Sequence, residues 1–100
     1  MKPYKRYDVY LSKALTDPQE AAAYLNAALE EDDSRVFLMA YYDVARAHGV
    51  KVIADKAKLH RVSLNKMLSK NGNPGLKNIL RVLAASNLRI RIEPAIRSDA

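Results

Sequence analysis

The chain has 100 residues, about the size of one domain, and 49% of them are apolar, which is enough for a hydrophobic core. A mean hydropathy of −0.28 excludes a membrane protein, and the lack of cysteine excludes a disulfide framework and a thiolate metal site. The net charge of +6 is divided unevenly, because residues 1–50 carry −2 and residues 51–100 carry +8. The second half therefore favours a polyanionic partner such as nucleic acid, with a basic surface that has no partner as the alternative.

The first half predicts an arm and two helices. Residues 1–16 have no capping signal and are expected to form a flexible N-terminal arm. They also lack the apolar centre of a signal peptide, so a cytoplasmic location is expected. Asp17 and Pro18 predict the start of a helix that runs to about Glu30. Asp33 then caps a second helix over 34–48, and Gly49 ends it.

Residues 50–69 have the spacing of a helix-turn-helix. Two short helices are predicted at about 51–58 and 61–70, with a turn between them. Their inner face is formed by apolar or small residues, namely Ile53, Ala54, Ala57, Leu59, Leu64, Met67 and Leu68. In this motif the second helix enters the DNA major groove.

The end of the chain predicts a fifth helix and a strand. Asn73 as N-cap and Pro74 at the first helical position predict a helix to about Ser86, with an apolar face of Leu76, Ile79, Leu80 and Leu83 turned inward. The alternation over residues 88–92 predicts a short strand. We therefore expect an all-α fold, with one helical domain over 17–94, a short C-terminal strand and a frayed tail over 95–100.

The outer face of the second motif helix is the candidate for reading DNA bases. It comprises Arg61, Val62, Ser63, Asn65 and Lys66. Arg and Lys match the acceptors of guanine, Asn can pair with adenine, and Val offers an apolar surface to a thymine methyl. A second set is placed to contact phosphates at helix ends, namely Lys51, Lys70, Asn73 and Lys77. The alternative for both sets is an ordinary solvated polar surface.

Nothing in the sequence favours catalysis. The two histidines, His48 and His60, are not part of a metal or nucleophile motif, and the acidic run over 30–33 lacks the spacing of a calcium loop. We expect a protein that is not an enzyme and has no cofactor or metal.

A homodimer is expected, because a single recognition helix makes too small a contact for useful specificity. Two such helices would address half-sites roughly 34 Å apart. The candidate interface residues are Leu88, Ile90 and Ile92 of the predicted strand, and Phe37 and Tyr41 of the second helix, whose apolar run over 36–42 is too wide for one buried face.

Over residues 7–94 the chain resembles the Xre/HigA-like antidote proteins of bacterial addiction modules, which have a lambda-repressor-like fold. The resemblance is carried by DPQEAAAYLNAALEEDD, FLMAYYDVARAHG, the helix-turn-helix and NGNPGLKNILRVLAASNLRIRI. It implies an antitoxin that binds a small RelE/ParE-like toxin and represses its own operon as a dimer. We expect the N-terminal half to help engage the toxin. Two positions depart from the family: Lys58 stands where glycine is usual, and His60 where serine is usual. A free-standing transcriptional regulator and a protein-interaction module without DNA binding are the alternatives.

Overall fold

The computed structural model describes the backbone of residues 3–96 and the side chains of residues 9–96. Within this range the chain forms six α-helices and no strand, so the expected all-α class is observed. The helices are α1 (Pro3–Ala14), α2 (Pro18–Leu29), α3 (Ser34–His48), α4 (Val50–Ala57), α5 (Arg61–Met67) and α6 (Leu76–Ala85). None of the helices described is long and apolar enough to cross a membrane.

The N-terminal segment differs from the flexible arm expected over residues 1–16. Residues 3–14 form α1, which packs against α3. Leu15, just after α1, is only 2% exposed, and the half-buried Leu11 packs against the same core. The prediction relied on the missing capping signal, whereas tertiary burial of an apolar face supplies most helical stability. The tail expected over 95–100 lies outside the described residues from residue 97 onward.

The beginnings of α2 and α3 are as predicted. The Asp17 carboxylate accepts a hydrogen bond of 2.9 Å from the backbone N–H of Gln19, and Asp33 accepts one of 2.9 Å from that of Arg35. A hydrogen bond from the Arg35 side chain also lowers the pKa of Asp33. Gly49, at φ 99°, ends α3 and begins α4, and this left-handed backbone favours glycine.

Helix α3 is the centre of the core and contacts α1, α2 and α4. Tyr41 is 1% exposed, and its hydroxyl lies 2.7 Å from the Val82 carbonyl and 2.6 Å from Ser86 Oγ. Burial raises the pKa of Tyr41 to about 12, against a smaller lowering by the hydrogen bond with Ser86. Tyr41 therefore belongs to the chain's own core and not to the partner surface where the sequence analysis put it. Part of the apolar run over residues 36–42 of α3 therefore packs within the chain's own core.

Helix α6 begins later than predicted. Its N-cap is Gly75, so Asn73 and Pro74 lie in the preceding loop. Only Leu83 of the expected inner face is buried; Ile79 is half-buried, while Leu76 is 67% and Leu80 45% exposed. The helix ends at Ala85, close to the predicted end at Ser86, and Asn87 follows in the left-handed conformation at φ 63°.

The predicted C-terminal strand is absent from the described structure. Residues 88–96 have no regular secondary structure, although the sequence alternates well for a strand. Among the described residues, no backbone hydrogen bond involves residues 89–96. A strand exists only through its ladder with a neighbour, and the described part of the chain offers none.

Candidate nucleic-acid interface

Helices α4 and α5 are joined by a tight turn of three residues, 58–60. Lys58 adopts the left-handed conformation at φ 58° and ψ 44°. Its N–H donates to the Asp55 carbonyl at 3.2 Å, and the N–H of Leu59 donates to the Ala54 carbonyl at 2.9 Å, which closes the end of α4. The turn therefore has the backbone geometry that favours glycine. A lysine there costs about 1 kcal/mol but does not rearrange the turn.

The α4–α5 pair is held together by small and apolar side chains. Ile53, Ala54 and Ala57 of α4 are buried, as are Leu64 and Met67 of α5. These residues form the inner face that the sequence predicts.

Burial of Leu64 and Met67 leaves the opposite side of α5 in solvent. Every residue of the candidate base-reading set is exposed, namely Arg61, Val62, Ser63, Asn65 and Lys66. Val62 is 78% exposed, so its apolar side chain is accessible to a partner. Within the described chain, the side chains of Arg61, Asn65 and Lys66 make no hydrogen bond or ion pair, so their donors are available to a ligand.

His60 occupies the N-cap position of α5, where the resemblance leads one to expect serine. Its side chain is exposed and makes no capping hydrogen bond. A serine, threonine or aspartate at this position would satisfy one backbone N–H of the first turn.

The candidate phosphate contacts are exposed at helix ends. Lys51 lies in the first turn of α4 and Lys77 in the first turn of α6, and neither helix has a side-chain N-cap. Lys70 and Asn73 instead lie in the loop between α5 and α6, because α5 ends at Met67, three residues earlier than predicted, and α6 begins only at Leu76. Backbone N–H groups at uncapped helix starts attract phosphate when cations stand beside them.

Gly72 fixes that loop and was missed by the sequence analysis. A Cβ at this position would overlap the backbone carbonyl group of Met67, so only glycine lets the loop pass the end of α5 so closely. The Gly72 N–H donates to the Ser69 carbonyl at 2.9 Å, and Ser69 Oγ donates to the Lys66 carbonyl at 2.7 Å. The signal was present as a glycine in an Asn-Gly-Asn-Pro turn, but sequence alone did not reveal the close approach.

A second surface brings the remaining candidates together. A groove of about 650 Å³ lies between α2, α3, α6 and the segment after α6; we call it the α2–α6 groove. Four of the five candidate interface residues line it: Phe37, Leu88, Ile90 and Ile92. Its other lining residues are Ala22, Leu25, Asn26, Leu29, Ile79, Leu83, Arg89, Arg91 and Glu93.

The charges on and around α4, α5 and α6 are mainly positive. Between Lys51 and Arg91 the sequence has one acidic residue, Asp55, which is exposed on α4. No group of three or more His, Cys, Asp or Glu side chains in the described range is arranged to hold a metal ion. The arrangement is suited to binding an anionic surface.

Comparison with known proteins gives two matches. Residues 4–94 match the model of a family described as probable addiction module antidote protein. An uncharacterized protein of Haemophilus influenzae (strain Rd) is 37% identical over 89 residues, which cover 89% of this chain and 90% of that protein. A comparison with solved structures found no match.

Proposed function

Because the chain belongs to the family of probable addiction module antidote proteins, we propose that it is the antitoxin of a type II toxin–antitoxin module. In this proposal it binds operator DNA as a homodimer through a helix-turn-helix, represses its own operon, and neutralises a RelE/ParE-like toxin in the cytoplasm. It acts by binding and catalyses no reaction.

The observation that carries the DNA-binding part is the exposed face of α5. Arg61, Asn65 and Lys66 present unpaired polar groups, and Val62 presents an apolar patch between them. This mixture of donors and apolar surface matches the edges of bases in the major groove.

The phosphate contacts are proposed at the starts of α4 and α6. Lys51 and Lys77 stand in first turns whose backbone N–H groups have no side-chain cap. Contacts from Lys70 and Asn73 would be added from the loop that follows α5. Such contacts fix the orientation of the protein on the duplex, and the bases are read by α5.

The test is the affinity of the protein for the DNA upstream of its own gene, measured by fluorescence anisotropy. Arg61→Ala and Lys66→Ala should each weaken binding by about 1–3 kcal/mol, as expected for loss of a base contact. Lys77→Ala should weaken binding to operator and unrelated duplex alike and lower the salt dependence. Lys13→Ala, an exposed cation on α1, is the matched control and should bind as the wild type does.

Unchanged operator affinity in Arg61→Ala and Lys66→Ala would remove α5 as the reading helix. If neither the wild type nor any variant prefers the operator over an unrelated duplex, the alternative of a protein-interaction module without DNA binding is correct.

The toxin-binding part is proposed for the N-terminal half, which carries −2 charge and several exposed apolar side chains. These are Val9 and Tyr10 on α1 and Met39 on α3. Removing the segment 1–33 is no test of this, because Ala21, Leu25 and Ala28 of α2 are part of the core. Point substitutions are needed instead.

Tyr10→Asp and Met39→Lys should each weaken co-purification with the product of the adjacent gene. Val62→Lys, on α5, is the control for adding a charge at an exposed apolar site and should leave that complex intact. Weakening by Val62→Lys alone would move the toxin site to the second half, and equal weakening by all three would contradict a site confined to the first half. An adjacent gene that encodes no toxin would favour a free-standing regulator.

A further inference from the structure

The segment after α6 has the sequence of a strand but no strand partner. Leu88, Ile90 and Ile92 alternate with Arg89 and Arg91. Among the described residues, the backbone groups of 89–96 make no backbone hydrogen bond. Such a segment is an open edge that another chain can pair with.

The apolar members of the segment are incompletely covered. Ile90 is 46% and Ile92 87% exposed, although both line the α2–α6 groove. Leu29, also at the groove, is 59% exposed. A two-stranded ribbon is marginal by itself but becomes stable when its apolar face packs against more apolar surface. The groove provides that surface beside the segment.

Charge complementarity identifies the strand that fits. In an antiparallel pair related by a two-fold axis, directly opposite residues interact most strongly, and like charges there are destabilising. If the axis passes through Ile90, Arg89 lies opposite Arg91 of the partner subunit twice, with no compensating acid. If it passes between two residues, isoleucines oppose arginines and the faces do not match.

An axis through Arg91 resolves both problems. Ile90 then lies opposite Ile92 of the partner subunit, and Arg89 lies opposite Glu93 of the partner subunit, so the dimer has two apolar pairs and two ion pairs. At the axis, Arg91 lies opposite Arg91 of the partner subunit. The ribbon ends before Pro94, which lacks a backbone N–H and is unsuited to the interior of a ladder. An axis through Ile92 would instead place Pro94 within the ribbon.

We propose that residues 89–93 pair with the same residues of a second copy in an antiparallel ribbon centred on Arg91, with its apolar face over the α2–α6 groove. This specifies the interface of the homodimer and rests on the proposed function only for the expectation of a dimer. The partner is a second copy because the segment is self-complementary in this register. The absence of a strand in the single chain follows directly, since the ladder forms only between copies.

Cysteine cross-linking tests the register, because the natural chain has no cysteine. Opposite Cα atoms in an antiparallel pair are about 4.5–5.5 Å apart, within the range that a disulfide spans. Arg91→Cys should therefore form a disulfide-linked dimer on mild oxidation, faster than Ile90→Cys or Ile92→Cys. Val62→Cys, on the exposed face of α5, measures the rate of random collision. The ribbon is overturned if Arg91→Cys reacts no faster than Val62→Cys, and the register is overturned if Ile90→Cys or Ile92→Cys is fastest.

A charge swap tests the ion pairs by sedimentation equilibrium. Arg89→Glu places like charges opposite each other at two sites and should raise the dimer dissociation constant roughly ten-fold. Arg89→Glu with Glu93→Arg restores opposite charges and should restore the wild-type dissociation constant. If the double variant is as weak as Arg89→Glu alone, or if the wild type stays monomeric, the ribbon is wrong. Since both positions are exposed, neither change threatens the core.

These outcomes are separable from those of the proposed function. Loss of the ribbon with continued operator binding through α5 would overturn the interface alone. A cross-linked dimer that ignores operator DNA would overturn DNA binding and leave the interface standing.

Discussion

Removing the Tyr41 hydroxyl tests the link between α3 and the end of α6. In Tyr41→Phe the ring still fills its site, so no cavity opens. What is lost is the hydrogen bonding of the hydroxyl to the Val82 carbonyl at 2.7 Å and to Ser86 Oγ at 2.6 Å. Ser86 Oγ keeps its own bond of 2.8 Å to Val82. A net hydrogen bond contributes about 0.5–1.5 kcal/mol, so we expect the free energy of unfolding to fall by about 1 kcal/mol.

The same substitution should alter the response to alkali. Burial raises the pKa of Tyr41 to about 12, whereas an unfolded tyrosine titrates near pH 10. The contribution of the protonated Tyr41 hydroxyl to the free energy of unfolding is thus complete below about pH 10. It is lost as the pH rises toward 12, because Tyr41 releases its proton at lower pH in the unfolded chain than in the folded one. At about 1.4 kcal/mol per pH unit, the loss for the wild type approaches 2–3 kcal/mol across this window.

Urea denaturation followed by circular dichroism at pH 8, 10 and 11.5 measures both effects. Tyr41→Phe should be less stable than the wild type at pH 8 and should lose less stability on going to pH 11.5. Tyr10→Phe, at a position that is 75% exposed, is the control and should behave as the wild type does. Equal alkaline losses in Tyr41→Phe and the wild type would refute the role given to the buried hydroxyl.

Two further substitutions test the backbone that positions α5. Lys58→Gly should raise the free energy of unfolding by about 1 kcal/mol in urea denaturation, because glycine adopts φ 58° without strain. A less stable variant would mean that the Lys58 side chain stabilises the fold by more than its backbone conformation costs. Gly72→Ala should lower the thermal midpoint, at a cost of about 1–3 kcal/mol, since its Cβ would overlap the Met67 carbonyl. Gly75→Ala is the matched control, because a Cβ there meets nothing within 4 Å. A loss of stability in Gly75→Ala as large as that in Gly72→Ala would contradict the close approach of Gly72 to the Met67 carbonyl group.

Local chemistry made part of this fold predictable. Asp17 and Asp33 cap their helices as the sequence indicates, because an N-cap depends on residues only two or three positions away. The exposed and buried sides of α5 also follow from sequence, because the burial of Leu64 and Met67 leaves Arg61, Asn65 and Lys66 outside.

The errors arose where distant parts of the chain decide the outcome. The helix α1 is stabilised by packing against α3, which its own sequence does not reveal. The apolar run on α3 did not show that Tyr41 reaches Val82 and Ser86, 41 and 45 residues away. For residues 88–92, the alternation describes a strand, but pairing requires a neighbour that the described chain does not contain. A pattern of residues reports the preference of a segment and not the partner that satisfies it.

The most direct test of the central claim is a map of the amides that respond to operator DNA, recorded by ¹H–¹⁵N NMR during titration with a duplex from upstream of the protein's own gene. We expect the shifts to concentrate at the exposed face of α5, at the first turns of α4 and α6, and in the loop between α5 and α6. Amides of α2 and the last turn of α4 should change little. Shifts confined to α1 and α2, or a response no greater than that to an unrelated duplex, would contradict the claim that α5 reads DNA.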